Sequence, residues 1–203
     1  GDDSYGQSTV PAGDFTWDFT WVNTGYVNSC AVTTAGAVTC WGYDASNISP
    51  APAGPFSTVD PGGAHVCGLE TSGAVTCWGS GQTNTGVWPE QGQAIAPSGT
   101  FSQVVTGYAY SCGLTTAGTI ECWGDDTYGQ SQPPTGTFIQ LSAHYYHTCA
   151  IDTTNMVQCW GSTSAGQLNA PQVPFVQVSA GHNHTCGLEP TGTIQCWGLD
   201  SKG

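Results

Sequence analysis

The chain has 203 residues, one Lys or Arg against 14 Asp or Glu, a formal net charge of −13, and charged residues at only 7%. With Lys202 as its single cation it offers no basic surface to displace counterions from a nucleic acid, and no run of about 20 apolar residues that would cross a bilayer as a helix. Solubility then rests on Ser, Thr, Asn, Gln and Gly, a composition that fits a secreted, extracellular or cell-surface protein with no nucleic-acid partner and no membrane insertion.

The chain opens Gly1-Asp2-Asp3 without a methionine or a charged-then-apolar leader, as expected of a processed or excised piece. Its first residues, to Gly6-Gln7, match Gly124 to Gln130, so they read as the tail of a repeat whose Cys-Trp is missing. An irregular segment from Phe15 to Val22 follows, carrying Trp17 and Trp21. Then come five β-hairpins, at 30–40, 67–77, 112–122, 149–159 and 186–196, each bounded by two cysteines ten apart. Their first cysteines are 37, 45, 37 and 37 residues apart, the long interval holding an insertion around Gly81 to Glu90 that includes Trp88. A period of about 40 residues signals propeller blades or a solenoid.

Turn chemistry fixes each hairpin. In Cys112-Gly-Leu-Thr-Thr-Ala-Gly-Thr-Ile-Glu-Cys122, β-rich arms flank Thr116-Ala117-Gly118, which fits a type I turn followed by a left-handed residue. The other copies place Gly36, Gly73, Asn155 and Gly192 at that last position, and asparagine is the residue next most tolerant of positive φ. This register sets the two cysteines of a hairpin opposite one another, within reach of a disulfide. Zinc sites usually need cysteines two to four apart and a second converging pair, so five disulfides, Cys30–Cys40, Cys67–Cys77, Cys112–Cys122, Cys149–Cys159 and Cys186–Cys196, are the reading, with no metal ligands. They imply an oxidising compartment.

After each second cysteine stands Trp-Gly (Trp41, Trp78, Trp123, Trp160, Trp197), in register and therefore read as blade packing. A Gly-Gln pair follows in most copies, then a proline-bearing turn ending in Phe56, Phe101, Phe138 or Phe175. From Phe to the next cysteine runs an alternating strand, giving three or four short strands per unit.

The pattern Val-Ser-Ala-Gly-x-x-His-Thr-Cys-Gly-Leu, Gly-Thr-Ile-x-Cys-Trp-Gly, clearest from Val178 to Gly198, resembles the repeat of the regulator-of-chromosome-condensation β-propellers, in a bacterial secreted form with paired cysteines. The resemblance covers essentially the whole chain and implies an all-β, five-bladed propeller filling residues 1–203 as one domain, with one hairpin disulfide per blade. Family propellers commonly have seven blades; here five hairpins are visible. We therefore expect the ends to be joined by strand complementation, Gly1 to Pro11 completing a blade begun at Cys196-Trp197-Gly198, in the same chain or in a neighbour.

His65, His147 and His184 share one repeat position, occupied elsewhere by Asn28 and Tyr110, which reads as a structural hydrogen-bond site; His144 and His182 stand outside that series. No Ser-His-Asp order, paired carboxylates, phosphate loop or cofactor motif is recognisable, so the chain reads as no enzyme and as needing no cofactor. Asp2-Asp3 and Asp125-Asp126 read as solvated turn acids rather than calcium ligands. Loops ahead of the first cysteines converge on one face of a propeller. They bring Tyr26, Tyr108, Tyr145, Tyr146 and His182 there, either as a recognition surface or as filling of a narrow channel. Trp17, Trp21 and Trp88, in the irregular segments, are candidates for contacts particular to this chain. Asn47-Ile-Ser49 and Asn183-His-Thr185 are glycosylation sequons. Function then divides between a binding module for a protein or glycan partner, acting through blade-edge loops, and a structural subunit of a surface fibre or layer built from copies of itself by strand donation.

Overall fold

A computed structural model describes residues 3–10, 19–44 and 46–199. Five antiparallel three-stranded sheets follow one another along the chain, each ordered inner, middle, outer. They are β1 (Phe19–Thr24), β2 (Asn28–Thr33) and β3 (Val38–Gly42); β4 (Phe56–Pro61), β5 (His65–Glu70) and β6 (Val75–Gly79); then, after an extra hairpin of β7 (Asn84–Val87) and β8 (Glu90–Gln91), β9 (Phe101–Thr106), β10 (Tyr110–Thr115) and β11 (Ile120–Gly124). The last two are β12 (Phe138–His144), β13 (His147–Asp152) and β14 (Val157–Gly161), and β15 (Gln177–Ala180), β16 (His184–Leu188) and β17 (Ile194–Gly198). These are five propeller blades, and among the described residues there is no helix.

The hairpins form as their turns dictate. Gly36, Gly73, Gly118, Asn155 and Gly192 all take positive φ, between 66° and 88°. In the resulting register each blade's two cysteines are direct Cα partners on its middle and outer strands, and all five disulfides form. The cysteines of β2, β5, β10 and β13 are fully buried.

No blade owns its core. Each apolar cluster lies between consecutive blades: Cys30, Val32 and Cys40 of the first pack against Phe56, Val59 and Trp78 of the second. The same arrangement recurs where Cys67 and Leu69 meet Phe101 and Val104, where Cys112 and Leu114 meet Phe138 and Leu141, and where Cys149 and Ile151 meet Phe175 and Val178. Four tryptophans seal these seams: the indole N–H of Trp78, Trp123, Trp160 and Trp197 donates to a carbonyl of the loop entering from the preceding blade, at Ile48, Gln93, Gln130 and Gln167, over 2.8–2.9 Å, and Trp41 donates in the same way to Gln7 of the N-terminal segment at 3.1 Å.

The N-terminal segment follows that rule. Residues 3–10 form turns, and the Gln7 carbonyl accepts from Trp41 Nε1 at 3.1 Å and Ser29 Oγ at 2.9 Å. Gly6-Gln7 thus occupies the place its match to Gly129-Gln130 implies, seated on the hairpin that follows it. Among the described residues no strand from this segment pairs with β17, so the expected joining of the ends by strand complementation is not seen.

Candidate functional site

The inner strands β1, β4, β9, β12 and β15 line one central channel of about 770 Å³. Trp21 lies here, on β1, with its indole N–H donating to the Val59 carbonyl at 3.0 Å, so it stands apart from the loop tyrosines. Trp17 falls outside the described residues. Asp60, on β4, is held between Asn23 Nδ2 and the Thr106 amide, the latter at 2.7 Å, and burial pushes its carboxyl up to about 7.

At one end of the channel the inner strand of each blade turns into its middle strand. The residue four before the first cysteine sits in this turn: Tyr26, Gly63, Tyr108, Tyr145 and His182, so His182 belongs to the tyrosine series. Neighbouring loops are knitted by backbone bonds from Tyr26 N to Gly62 O, Gly63 N to Tyr108 O and Tyr108 N to Tyr145 O, of 3.4, 3.2 and 2.8 Å. The preceding residue is glycine in four blades because a side chain of the middle strand packs on it: a Cβ at Gly107 would strike the Tyr110 ring, and one at Gly62 the His65 ring. In the fourth blade His144 stands there instead and pairs with His147, leaving a two-residue turn with Tyr145 at φ 48°. Such turns require positive φ, and the Tyr145 ring stacks on His182 at 3.8 Å.

The rings form one continuous surface. Tyr108 contacts Tyr26 at 5.6 Å, Tyr145 at 5.3 Å and Tyr146 at 5.8 Å, edge to face. Trp88, presented by the turn between β7 and β8, stacks flat on Tyr108 at 4.7 Å. Tyr26, at 56% exposure, and Trp88, at 42%, face solvent. Burial, then the neighbouring phenols Tyr145 and Tyr26, raise the Tyr108 hydroxyl; burial and Tyr145 push Tyr146 up to about 12, so both remain neutral donors. His144 and His182 lie with ring centroids 6.4 Å apart.

Because the second blade carries Gly63 and Ala64 where others carry Tyr-Val, Tyr-Ala, Tyr-Tyr or His-Asn, a pocket of about 440 Å³ opens there. Tyr26, Tyr108, Trp88, Tyr5 and Tyr43 line it, with Ser46 and Ser80, and none of its lining residues is charged. Tyr5 and Tyr43, packed edge to face at 4.9 Å, and Tyr128, against Tyr146 at 5.1 Å, were not anticipated. Tyr5 and Tyr128 share the position before Gly-Gln, a signal that was present in the sequence. Asn47 is exposed in the loop after β3, and Asn183 is half-buried between β15 and β16. The carboxylates of Asp3, Asp125 and Asp126 accept hydrogen bonds from turn residues of their own loops.

Disulfide-clipped propeller blades with an aromatic loop face are therefore the class of protein this fold and site define. The family model described as Regulator of chromosome condensation (RCC1) repeat matches residues 101–130, 138–167 and 175–203, and the chain carries repeats of this type. Among solved structures, the ectodomain of the Physcomitrella patens receptor kinase CR4 is similar at 28% identity and TM-score 0.74, over 98% of this chain and 55% of that one. The ectodomain of the Arabidopsis thaliana receptor kinase ACR4 is similar at 22% identity and TM-score 0.69, over 88% and 62%. Prp20p of Saccharomyces cerevisiae follows at 17% and 0.69, over 85% and 56%. The chain thus spans 55–62% of the length of these proteins. No curated protein matches it.

Proposed function

We propose that this chain is a non-catalytic interaction module of extracellular type that holds its partner on the aromatic face at the channel mouth. The carrying observation is the pocket over Gly63, walled by Tyr26, Tyr108 and Trp88 and free of charged residues. Flat rings with polar tips bury apolar ligand faces while donating hydrogen bonds at their edges. A neutral saccharide fits this chemistry better than an acidic or basic peptide. Five disulfides and the likeness to a receptor-kinase ectodomain support the extracellular setting.

Titrating the oxidised protein with neutral oligosaccharides, while following tryptophan fluorescence and heat, tests this. Binding that Trp88→Ala and Tyr108→Ala each weaken tenfold or more is expected, with Trp21→Phe leaving it unchanged. Absence of binding across cello-, xylo- and manno-oligosaccharides overturns the saccharide. A protein captured by the wild type but not by the Trp88→Ala/Tyr108→Ala double variant would then move the same face to a protein partner.

A further inference from the structure

Each blade is a separate sheet, so side chains tie the inner strands of neighbouring blades together. The Gln103 carboxamide clamps Leu141, donating to its carbonyl and accepting from its N–H at 2.8 Å each, and Gln140 does the same to Val178 at 3.1 Å. Trp21 stands at that register in the first blade and Thr58 in the second. From the second blade to the third the tie is made two residues further on, by Asp60. Its Oδ2 accepts the Thr106 N–H at 2.7 Å, as Ser142 Oγ accepts the Ala180 N–H at 2.9 Å between the fourth and fifth blades. Asp60 has a second partner because of the residue that follows it. Where Thr106 and Ala180 offer an N–H, the second blade has Pro61, which has none. Asn23, at the register of Asp60 in the first blade, therefore finds no amide to accept and instead donates through Nδ2 to Asp60 Oδ1. One carboxyl group joins three blades.

Its partners are the roots of the pocket walls. Asn23 lies three residues before Tyr26, and Thr106 two before Tyr108. The loop that follows Asp60 is bonded to both walls, Gly62 O accepting the Tyr26 N–H at 3.4 Å and Gly63 N donating to Tyr108 O at 3.2 Å.

We propose that Asp60 is a positioning residue for the aromatic pocket: it sets the Tyr26 wall against the Tyr108 wall, and its proton changes that setting. The inference rests on this pocket being the binding site. With both oxygens accepting, Asp60 is a carboxylate. A backbone N–H cannot accept, so when the carboxyl gains its proton the new O–H forms at Oδ1 and donates to Asn23, whose amide turns to present its oxygen. In the carboxylate form that oxygen accepts the Thr24 N–H at 2.9 Å, so the turn releases Thr24, two residues before Tyr26. Burial pushes the carboxyl up to about 7, which populates both forms around neutrality. Titratable groups on the surrounding elements stay neutral there: burial holds His65 on β5 down to about 3 and raises the Tyr110 phenol on β10. Strands β1 and β9 carry no titratable side chain, and His144 on β12, which lines the same channel, is held below its ordinary value by burial.

Amide NMR of the oxidised chain without ligand, from pH 5.5 to 8.5, is expected to show Thr24, Tyr26, Thr106 and Tyr108 following one ionisation near pH 7. Asp60→Asn offers an acceptor to Thr106 and a donor to Asn23, as the protonated carboxyl does, so it should abolish the titration and keep the low-pH positions. Asn23→Ala, which leaves the Thr106 bond in place, should silence Thr24 and Tyr26 alone. With a neutral oligosaccharide that the wild type binds, affinity should rise about fivefold across this range, the low end of coupling between sites, and stay at its low-pH value in Asp60→Asn. Tyr26 failing to move with Thr106 overturns the proposal, as does a titration that survives Asp60→Asn, or binding equally pH-dependent in both proteins. If no oligosaccharide binds, the ligand assigned to the pocket falls, and the amide titration alone decides the role of Asp60.

Discussion

His147 is a titratable group that burial keeps neutral near neutral pH. Burial holds it down to about 4 from its ordinary 6.5, and His65 to about 3, while each ring satisfies a neighbouring blade's hydroxyl. Below the ordinary value the unfolded chain binds a proton that the folded histidine refuses. Its contribution is therefore full above pH 6.5 and is lost as pH falls from 6.5 toward 4. Asp60 runs the other way: with its carboxyl pushed up to about 7, the folded state keeps a proton the unfolded state has released, and stability declines as pH rises from 3.8 to 7. Two histidines outweigh one aspartate between those limits, so urea midpoints should fall on acidification from neutrality to pH 4.5. In His147→Gln the fall should be smaller by about 2–3 kcal/mol, and an equal fall in both proteins would show that this histidine does not carry it.

The blade is a unit of local rules, which is why so much of it was legible. Left-handed glycines, the single asparagine substitute and the constant cysteine offset fix each hairpin within eleven residues, without reference to any other part of the chain. The Trp-Gly and Gly-Gln pairs were legible as packing for the same reason, and the loop tyrosines because their offset from the cysteine is nearly constant. Less legible was whatever depends on how one blade leans on the next: Tyr5, Tyr43 and Tyr128 joining the aromatic face, or Trp21 taking the place of a glutamine clamp over Val59. The disulfides separate by this neighbour effect. Cys149 is fully buried beneath the fifth blade, whereas Cys186 is half-buried and Cys196 exposed. In dilute protein, mild reductant followed by alkylation and peptide mapping should therefore open Cys186–Cys196 first, since thiolate attack needs access to sulfur. Simultaneous loss of all five would argue that global unfolding precedes reduction.

At the scale of the whole molecule, an array whose cores all lie between blades has stability that is a sum of seams, not a property of any one repeat. Val59 and Val22 make this measurable. Both are valines on inner strands in the same register, each opposite the residue that follows the first cysteine of its blade. They differ in what covers them: Val59 is 1% exposed beneath the first blade's Cys30 and Val32, whereas Val22 is 66% exposed. Removing buried methyl groups leaves a cavity as well as losing transfer energy, while removing solvated ones does neither. Val59→Ala should cost about 1–3 kcal/mol in denaturant unfolding of dilute protein, and Val22→Ala less than about 0.5 kcal/mol. Equal costs at the two positions would show that cover by a neighbouring blade does not set what an inner-strand valine contributes.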